Sequence, residues 1–260
     1  MKKVFTRFLK NNDAVEQKKY LFIGGVGRSG TTVLTRVIGV HPLIILGMER
    51  YNKLFKKQDF SITLKHFEKE RFFEMREGDT FYMDFDLFRP HMNAAEKWDQ
   101  AIYTGVKYPQ IASVYELSRQ ALGDFKLIYI YRNIFDVAES WNRKQIESKN
   151  WPKNRDYKKA VSFWNRSLRQ TRKLIRENQD IVCIRYEDLL FSEKSIQPIF
   201  DWLELEMDKK VIDVLSDERK DAPDRKAKKG TLPNEQKTFI NQYARFDIYE
   251  ELNSKYNILA

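Results

Sequence analysis

Short apolar runs alternate along the chain with stretches whose apolar residues recur every three or four positions. That alternation predicts strands separated by helices. Residues 21–26 form the first apolar run and open into a Gly/Ser/Thr turn. Val33, Leu34, Val37 and Ile38 then recur at helical spacing and stop before His41 and Pro42. A second apolar run, 43–46, follows at once. Further strands are predicted at 81–87, 103–106, 125–131 and 181–185, the stretch 125–131 being rich in β-formers. Helices are predicted at 61–76, 111–122, 134–149, 157–178 and 195–205. Residues 220–233, polar and basic with two prolines and one glycine, read as a loop.

Strands this short and apolar, with helices between them, specify an α/β fold: a parallel β-sheet flanked by helices and buried on both faces. Ligands on such a sheet sit at the carboxyl ends of the strands. The residues that follow each strand are therefore the candidates for chemistry.

Composition narrows the chemistry only slightly. The chain of 260 residues is 42% hydrophobic, enough for a substantial core, and its charges are mixed in sign along the sequence. A net charge of +10 favours anionic partners, whether nucleic acid, an acidic membrane face or a small polyanion. Cys183, the single cysteine, sits in an apolar run, which excludes an intrachain disulfide and a thiolate zinc cluster. Three histidines, His41, His66 and His91, at unrelated spacings argue against a histidine metal site. The first twenty residues carry no signal-peptide run and no stretch is long enough to cross a bilayer, so the expectation is a cytoplasmic protein. Residues 1–19 form an N-terminal arm, in which Val4, Phe5, Phe8 and Leu9 can line one face of a basic helix and touch a membrane surface. Residues 20–260 make up one domain.

The first turn carries the strongest motif. Gly25, Gly27 and Gly30 give the glycine spacing of a P-loop, but Thr31 stands where the P-loop lysine belongs. Backbone amides at the start of the following helix would still face an anion, helped by the helix dipole. Arg28 supplies positive charge, and Ser29, Thr31 and Thr32 supply hydroxyls. Hydrolysis of ATP or GTP relies on the missing lysine, so a nucleoside-triphosphate hydrolase is disfavoured.

Arg28–Ser29–Gly30–Thr31–Thr32 after a strand resembles the 5'-phosphosulfate loop of sulfotransferases that use 3'-phosphoadenosine 5'-phosphosulfate (PAPS), in the style of the tyrosylprotein and bacterial branches. The resemblance implies a P-loop-like sulfotransferase fold, PAPS as donor, 3',5'-adenosine bisphosphate (PAP) as product, and no metal. Three further segments appear in the family's order. Arg132 closes the strand 125–131, with Ser140 on the next helix, and the pair is similar to the family's site for the ribose 3'-phosphate. An arginine at a strand's end is also placed for a forked phosphate contact on physical grounds. Tyr186 opens a Tyr-Glu-Asp-Leu run like the one the family places near the nucleotide. Glu187 and Asp188 are equally what a helix's first turn prefers. Lys228, Lys229 and Gly230 resemble the basic-glycine loop that covers the 3'-phosphate.

Sulfuryl transfer to a hydroxyl or amine needs a base and cationic groups beside the leaving oxygen. The cytosolic branch uses a histidine in a Lys-x-His stretch, and here the comparable residues are Lys107, Tyr108 and Pro109. Glu49 follows a histidine-proline and a short apolar run, as the tyrosylprotein branch's catalytic glutamate does. It is the candidate base, with Lys107 and Arg28 assisting the leaving group. His41 reads as a helix terminator, and His66 and His91 stand as alternative bases. The region 84–89 and the region 141–155 are expected to border the acceptor, a carbohydrate, phenol, lipid or peptide tyrosine. Alternative readings are a small-molecule kinase using ATP, a basic polyanion binder, and an inactive homologue.

Overall fold

The fold was read from a computed structural model, which describes residues 18–79, 94–149, 151–152, 154–177, 179–227 and 231–260. Five strands pair in parallel in the order β2-β3-β1-β4-β5. They are β1 (Lys19–Gly25), β2 (Ile44–Met48), β3 (Tyr103–Lys107), β4 (Phe125–Tyr131) and β5 (Ile181–Arg185). The predicted parallel sheet is therefore present. Strands β4 and β5 have the limits read from the sequence. The expected strand at 81–87 and the N-terminal arm up to residue 17 lie outside the described residues.

Helices cover both faces of the sheet. They are α1 (Thr31–Gly39), α2 (Lys69–Phe73), α3 (Tyr115–Leu122), α4 (Ile134–Glu147), α5 (Tyr157–Arg176), α6 (Tyr186–Phe191), α7 (Gln197–Leu203), α8 (Lys209–Ala227), α9 (Asn234–Tyr243) and α10 (Phe246–Glu251). The period-2 geometry of strands sorts their side chains between the two layers. Leu21, Ile23, Ile128 and Ile130 pack with Leu34 and Ile38 of α1 and with Ile199 and Phe200 of α7 on one face. Phe22 and Leu127 point to the other face, into an aromatic cluster with Phe55, Phe67, Phe72 and Trp98. Tyr129 and Tyr131 on that same side of β4 meet Trp164 and Leu168 of α5.

Three predicted elements differ from the structure. Residues 61–76 do not form one helix but a 3-10 turn, Leu64–Phe67, followed by the single short helix α2. Phe67 and Phe72 are both buried in the same cluster. Five positions apart on a continuous helix they would point about 140° away from each other, so the chain breaks at the extended Glu68 to bring both rings inward. The loop expected at 220–233 is helical as far as Ala227, and α8 runs through Pro223. Val211, Leu215 and Ala222 hold this helix on the α1 side of the core, and that packing outweighs a proline cost of about 3 kcal/mol. Residues 111–122 are also interrupted, with Val114 separating a 3-10 turn from α3.

The end of α1 is closed by an unusual group. Lys97 is buried, and its ammonium donates to the carbonyls of Gly39 at 2.5 Å and His41 at 2.8 Å. A cation suits a helix carboxyl end, yet burial, reinforced by nearby Lys210, pushes its pKa down to about 7. An unfolded lysine titrates near 10.5. Between those values the folded chain binds fewer protons than the unfolded one, and the unfolding free energy rises with pH. The difference in urea unfolding free energy between wild type and Lys97→Met is expected to be flat below pH 7 and to climb across that window; a difference independent of pH contradicts this assignment.

Candidate active site

Parallel strands end on one edge of the sheet, and each of the five is followed there by a candidate residue. β2 leads to Glu49, β3 ends on Lys107, β1 opens into Arg28–Thr32, β4 leads to Arg132 and β5 to Tyr186. The spatial order of the strands then sets the order of the groups. Glu49 and Lys107 stand on one side of the β1 loop, and Arg132 and Tyr186 on the other.

The loop itself is built by backbone conformations that most residues resist. Gly25 has φ +151°, and a Cβ there would lie 2.3 Å from the carbonyl oxygen of Ile130. Gly30 caps α1 with φ +93°, and its missing side chain is filled by the Tyr186 ring, 2.2 Å from where a Cβ would be. No side chain caps the first turn of α1 and no acid lies in it, which leaves its positive end directed at the loop. The Ser29 hydroxyl is buried there with no hydrogen-bond partner among the described residues. An orphaned buried hydroxyl, an uncapped helix start and a glycine cradle together fit an anion.

Two clefts meet at this loop and share Arg28, Thr31 and Thr32. The second cleft, about 380 Å³, contains Arg132, Ser140, Arg143, Arg36 and Tyr186. Arg28 donates through Nε to the Ser140 hydroxyl at 3.0 Å. Arg132 is gripped by Asp136 through Nε at 3.2 Å and Nη2 at 3.1 Å, and its guanidinium lies 4.0 Å from the centre of the Tyr186 ring. The ring thus packs against the Arg132 guanidinium while also filling the space beside Gly30. Burial, and then the neighbouring charges of Arg143 and Arg132, lower the affinity of Arg28 for its proton. Cations crowded this closely repel each other until an anion sits among them.

The first cleft, about 420 Å³, contains Glu49, Lys107 and Asn52 beside the loop. Lys107 Nζ donates to Glu49 Oε1, and Asn52 Nδ2 approaches Oε2 at 3.5 Å. The lysine side chain is only 4% exposed, while Glu49 keeps 28% of its side chain open to the cleft. Burial lowers the lysine's pKa, opposed by the Glu49 charge. Glu49 has a left-handed backbone, φ 53°, and its amide donates to the Lys107 carbonyl at 3.0 Å. Arg50 points away from the site into a buried ion pair with Asp79 at 3.3 Å.

The structure therefore brings together Arg28, Ser29, Gly30, Thr31, Thr32, Glu49, Lys107, Arg132, Ser140 and Tyr186. His41 stands apart: its Nδ1 accepts from Leu43 and its Nε2 donates to the Glu206 carbonyl, so both ring nitrogens serve the helix end. Glu187 receives the Asn133 amide and Asp188 pairs with Arg185, which are structural tasks. His91, Lys228, Lys229, Gly230 and the acceptor-side stretch 84–89 lie outside the described residues. Sequence reading missed Arg36, Asn52, Arg166 and Gln170, which line the two clefts, and it expected Arg143, within the 141–155 stretch, on the acceptor side, whereas Arg143 lines the second cleft. Arg143 had a readable signal, since it lies three positions after Ser140 on one helix face. Asn52, three positions after Glu49, and Arg36, four after Thr32 on α1, also lie close to motif residues, whereas Arg166 and Gln170 reach the first cleft only through tertiary packing. Among the described residues no group of three or more His, Cys, Asp or Glu side chains converges as a metal site, and no helix is long and apolar enough to cross a membrane.

A glycine loop suited to an anion, set between two cation-lined clefts at the carboxyl edge of a parallel sheet, is the arrangement of the P-loop-like class of folds. The sequence profile of the Sulfotransferase family matches residues 21–209, and the chain belongs to that family. Comparison with curated proteins found no match. Among solved structures, the sulfotransferase domain from the curacin biosynthetic pathway superposes with a TM-score of 0.51 at 16% identity, over 76% of this chain and 78% of that one. A sulfotransferase from Mycobacterium tuberculosis H37Rv gives 0.50 at 14% identity, over 78% and 72%. At these identities the likeness establishes the fold.

Gly30→Ala is expected to destabilise the protein by about 1–3 kcal/mol in urea denaturation, from steric conflict with Tyr186 and the left-handed φ. Gly27→Ala, where a Cβ meets nothing within 4 Å, is expected to stay within about 0.5 kcal/mol of wild type.

Proposed function

We propose that the protein transfers a sulfuryl group from PAPS to a hydroxyl or amine acceptor, with Glu49 as general base. The observation that carries this reading is the meeting of the two clefts at one anion-cradling loop, with a carboxylate–ammonium pair on one side and arginines with a serine on the other. PAPS supplies an activated sulfuryl group whose bridging oxygen departs with PAP. The residues present suit such a ligand. Arg132, Ser140 and Arg143 would hold the ribose 3'-phosphate, Tyr186 would border the nucleotide, and Arg28, Ser29, Gly30, Thr31 and Thr32 would surround the 5'-phosphosulfate. Lys228, Lys229 and Gly230 are assigned to the same phosphate by their resemblance to the family's basic-glycine loop.

In the first cleft Glu49 takes the proton as the acceptor oxygen attacks sulfur. A bond forms between that oxygen and sulfur, and the bond from sulfur to the bridging oxygen breaks. The Lys107–Glu49 contact gives these two steps a link. Protonation of Glu49 removes the charge that holds the ammonium, which frees Lys107 to join Arg28 in meeting the charge growing on the leaving oxygen. The position of Thr31, where nucleoside-triphosphate enzymes carry lysine, supports sulfuryl over phosphoryl transfer.

Glu49→Gln is expected to lower kcat by about 10²–10⁴-fold while calorimetric affinity for PAP stays within about threefold of wild type, since Glu49 lies outside the second cleft. Undiminished turnover would remove Glu49 from the mechanism. Because burial draws the Lys107 pKa below its ordinary value of 10.5, the alkaline limb of the rate profile should fall below the ordinary lysine range. Lys107→Arg should shift that limb upward, and a limb that does not move would dissociate it from this residue.

A further inference from the structure

The first cleft has a charge balance that the chemistry at Glu49 leaves unexplained. Glu49 is the one carboxylate among its described lining residues, and Lys107 already engages it. Lys56, Arg155 and Arg166 also line the cleft, and none of the three has a carboxylate partner among the described residues. Free cations are ordinary on a basic protein's open surface, where water screens them. Here Arg155 is half-buried and Lys56 and Arg166 are exposed, and all three border one aromatic-lined concavity beside the phosphate loop.

The arginines are also held in place. Arg155 lies over Trp151 at 5.4 Å and over Trp141 at 5.9 Å, and its carbonyl accepts from Trp151 Nε1 at 3.1 Å. Trp141 in turn donates through Nε1 to the carbonyl of Gly27 at 3.0 Å. A continuous chain of contacts thus sets the height of Arg155 above the loop. Arg166, one turn beyond the cleft-lining Phe163 on α5, lies 5.8 Å from its ring centre. A neighbouring aromatic ring restrains a guanidinium while leaving its N–H groups available to a planar or tetrahedral anion.

We infer that the acceptor is a small ring-bearing molecule that carries, besides the group to be sulfated, a carboxylate, sulfate or phosphate held by Arg155 and Arg166, with Lys56 adding charge to the same cleft. This rests on the first cleft being the acceptor side of the proposed reaction. A cavity of about 420 Å³ lies in the lower part of the range for small-molecule sites, which suits one or two rings. The anion would orient the molecule by its far end, while Trp141, Trp151 and Phe163 meet the ring and Glu49 receives the reacting hydroxyl.

The test is calorimetric titration of the full chain, saturated with PAP at low ionic strength, with two matched pairs of probes. These are 4-hydroxyphenylacetate against its methyl ester, and glucuronate against methyl glucoside. In at least one pair the carboxylate is expected to bind about tenfold more tightly or better. In the Arg155→Gln, Arg166→Gln double variant that preference should fall to within about threefold of unity, with PAP affinity unchanged as the control for folding. Equal or tighter binding of the neutral member in both pairs overturns the inference. So does failure of both carboxylates to bind, or a preference that survives in the double variant. Loss of PAP binding in the wild type would instead overturn the donor assignment, and an arginine-dependent carboxylate preference measured without PAP would still support the cleft's selectivity.

Discussion

A strand buried on both faces can present polar groups only at its ends, and in a parallel sheet all carboxyl ends lie on one edge. In this protein that constraint places Glu49, Lys107, the Arg28–Thr32 loop, Arg132 and Tyr186 side by side, although they span more than half of the sequence. The strand order β2-β3-β1-β4-β5 then divides the labour. Strands on the β2 side of the loop supply a carboxylate and a buried ammonium. Strands on the β4 side supply arginines and the tyrosine ring against which one of them lies. The central loop belongs to both clefts, so a group held there is reached from either side.

Packing around the loop converts that placement into fixed geometry. Tyr186 fills the space that Gly30 leaves empty and also lies against Arg132. Trp141 binds the Gly27 carbonyl, and Trp164 donates to the Arg132 carbonyl at 2.9 Å. Arg28 is tied to Ser140 across the two elements. Few of these groups can move alone. Burial first, and then the neighbouring cations, disfavour the charged form of Arg28 in the free protein, and an anion placed among these groups would offset that cost.

The sheet was largely legible because its strands are short, apolar and rich in β-formers. Strands β4 and β5 have the limits the pattern predicts. The errors came from segments where tertiary burial overrode local pattern. The stretch 61–76 looked helical from its charges, but Phe67 and Phe72 had to reach one cluster. The stretch 220–227 looked like a loop from its proline and lysines, but α8 continues past Ala222, which packs against the core. At the site, the residues carried by short motifs after strands could be located in advance. Those on a distant helix, such as Arg166 and Gln170 on α5, could not, since nothing local in the sequence says which helical face meets a cleft. The Lys107–Glu49 contact joins residues 58 positions apart and depends on β2 pairing with β3. Neighbouring sequence gives no hint of it.

The most direct test of the account is calorimetric titration of the purified protein with PAP in the presence of EDTA, with ATP as the comparison. Binding of PAP without metal, far tighter than ATP and lost in Arg132→Ala, is the predicted result, because the second cleft offers arginines and a serine for a 3'-phosphate. Absence of PAP binding, or tighter magnesium-dependent binding of ATP, would contradict the assignment of the donor site and with it the sulfuryl-transfer mechanism.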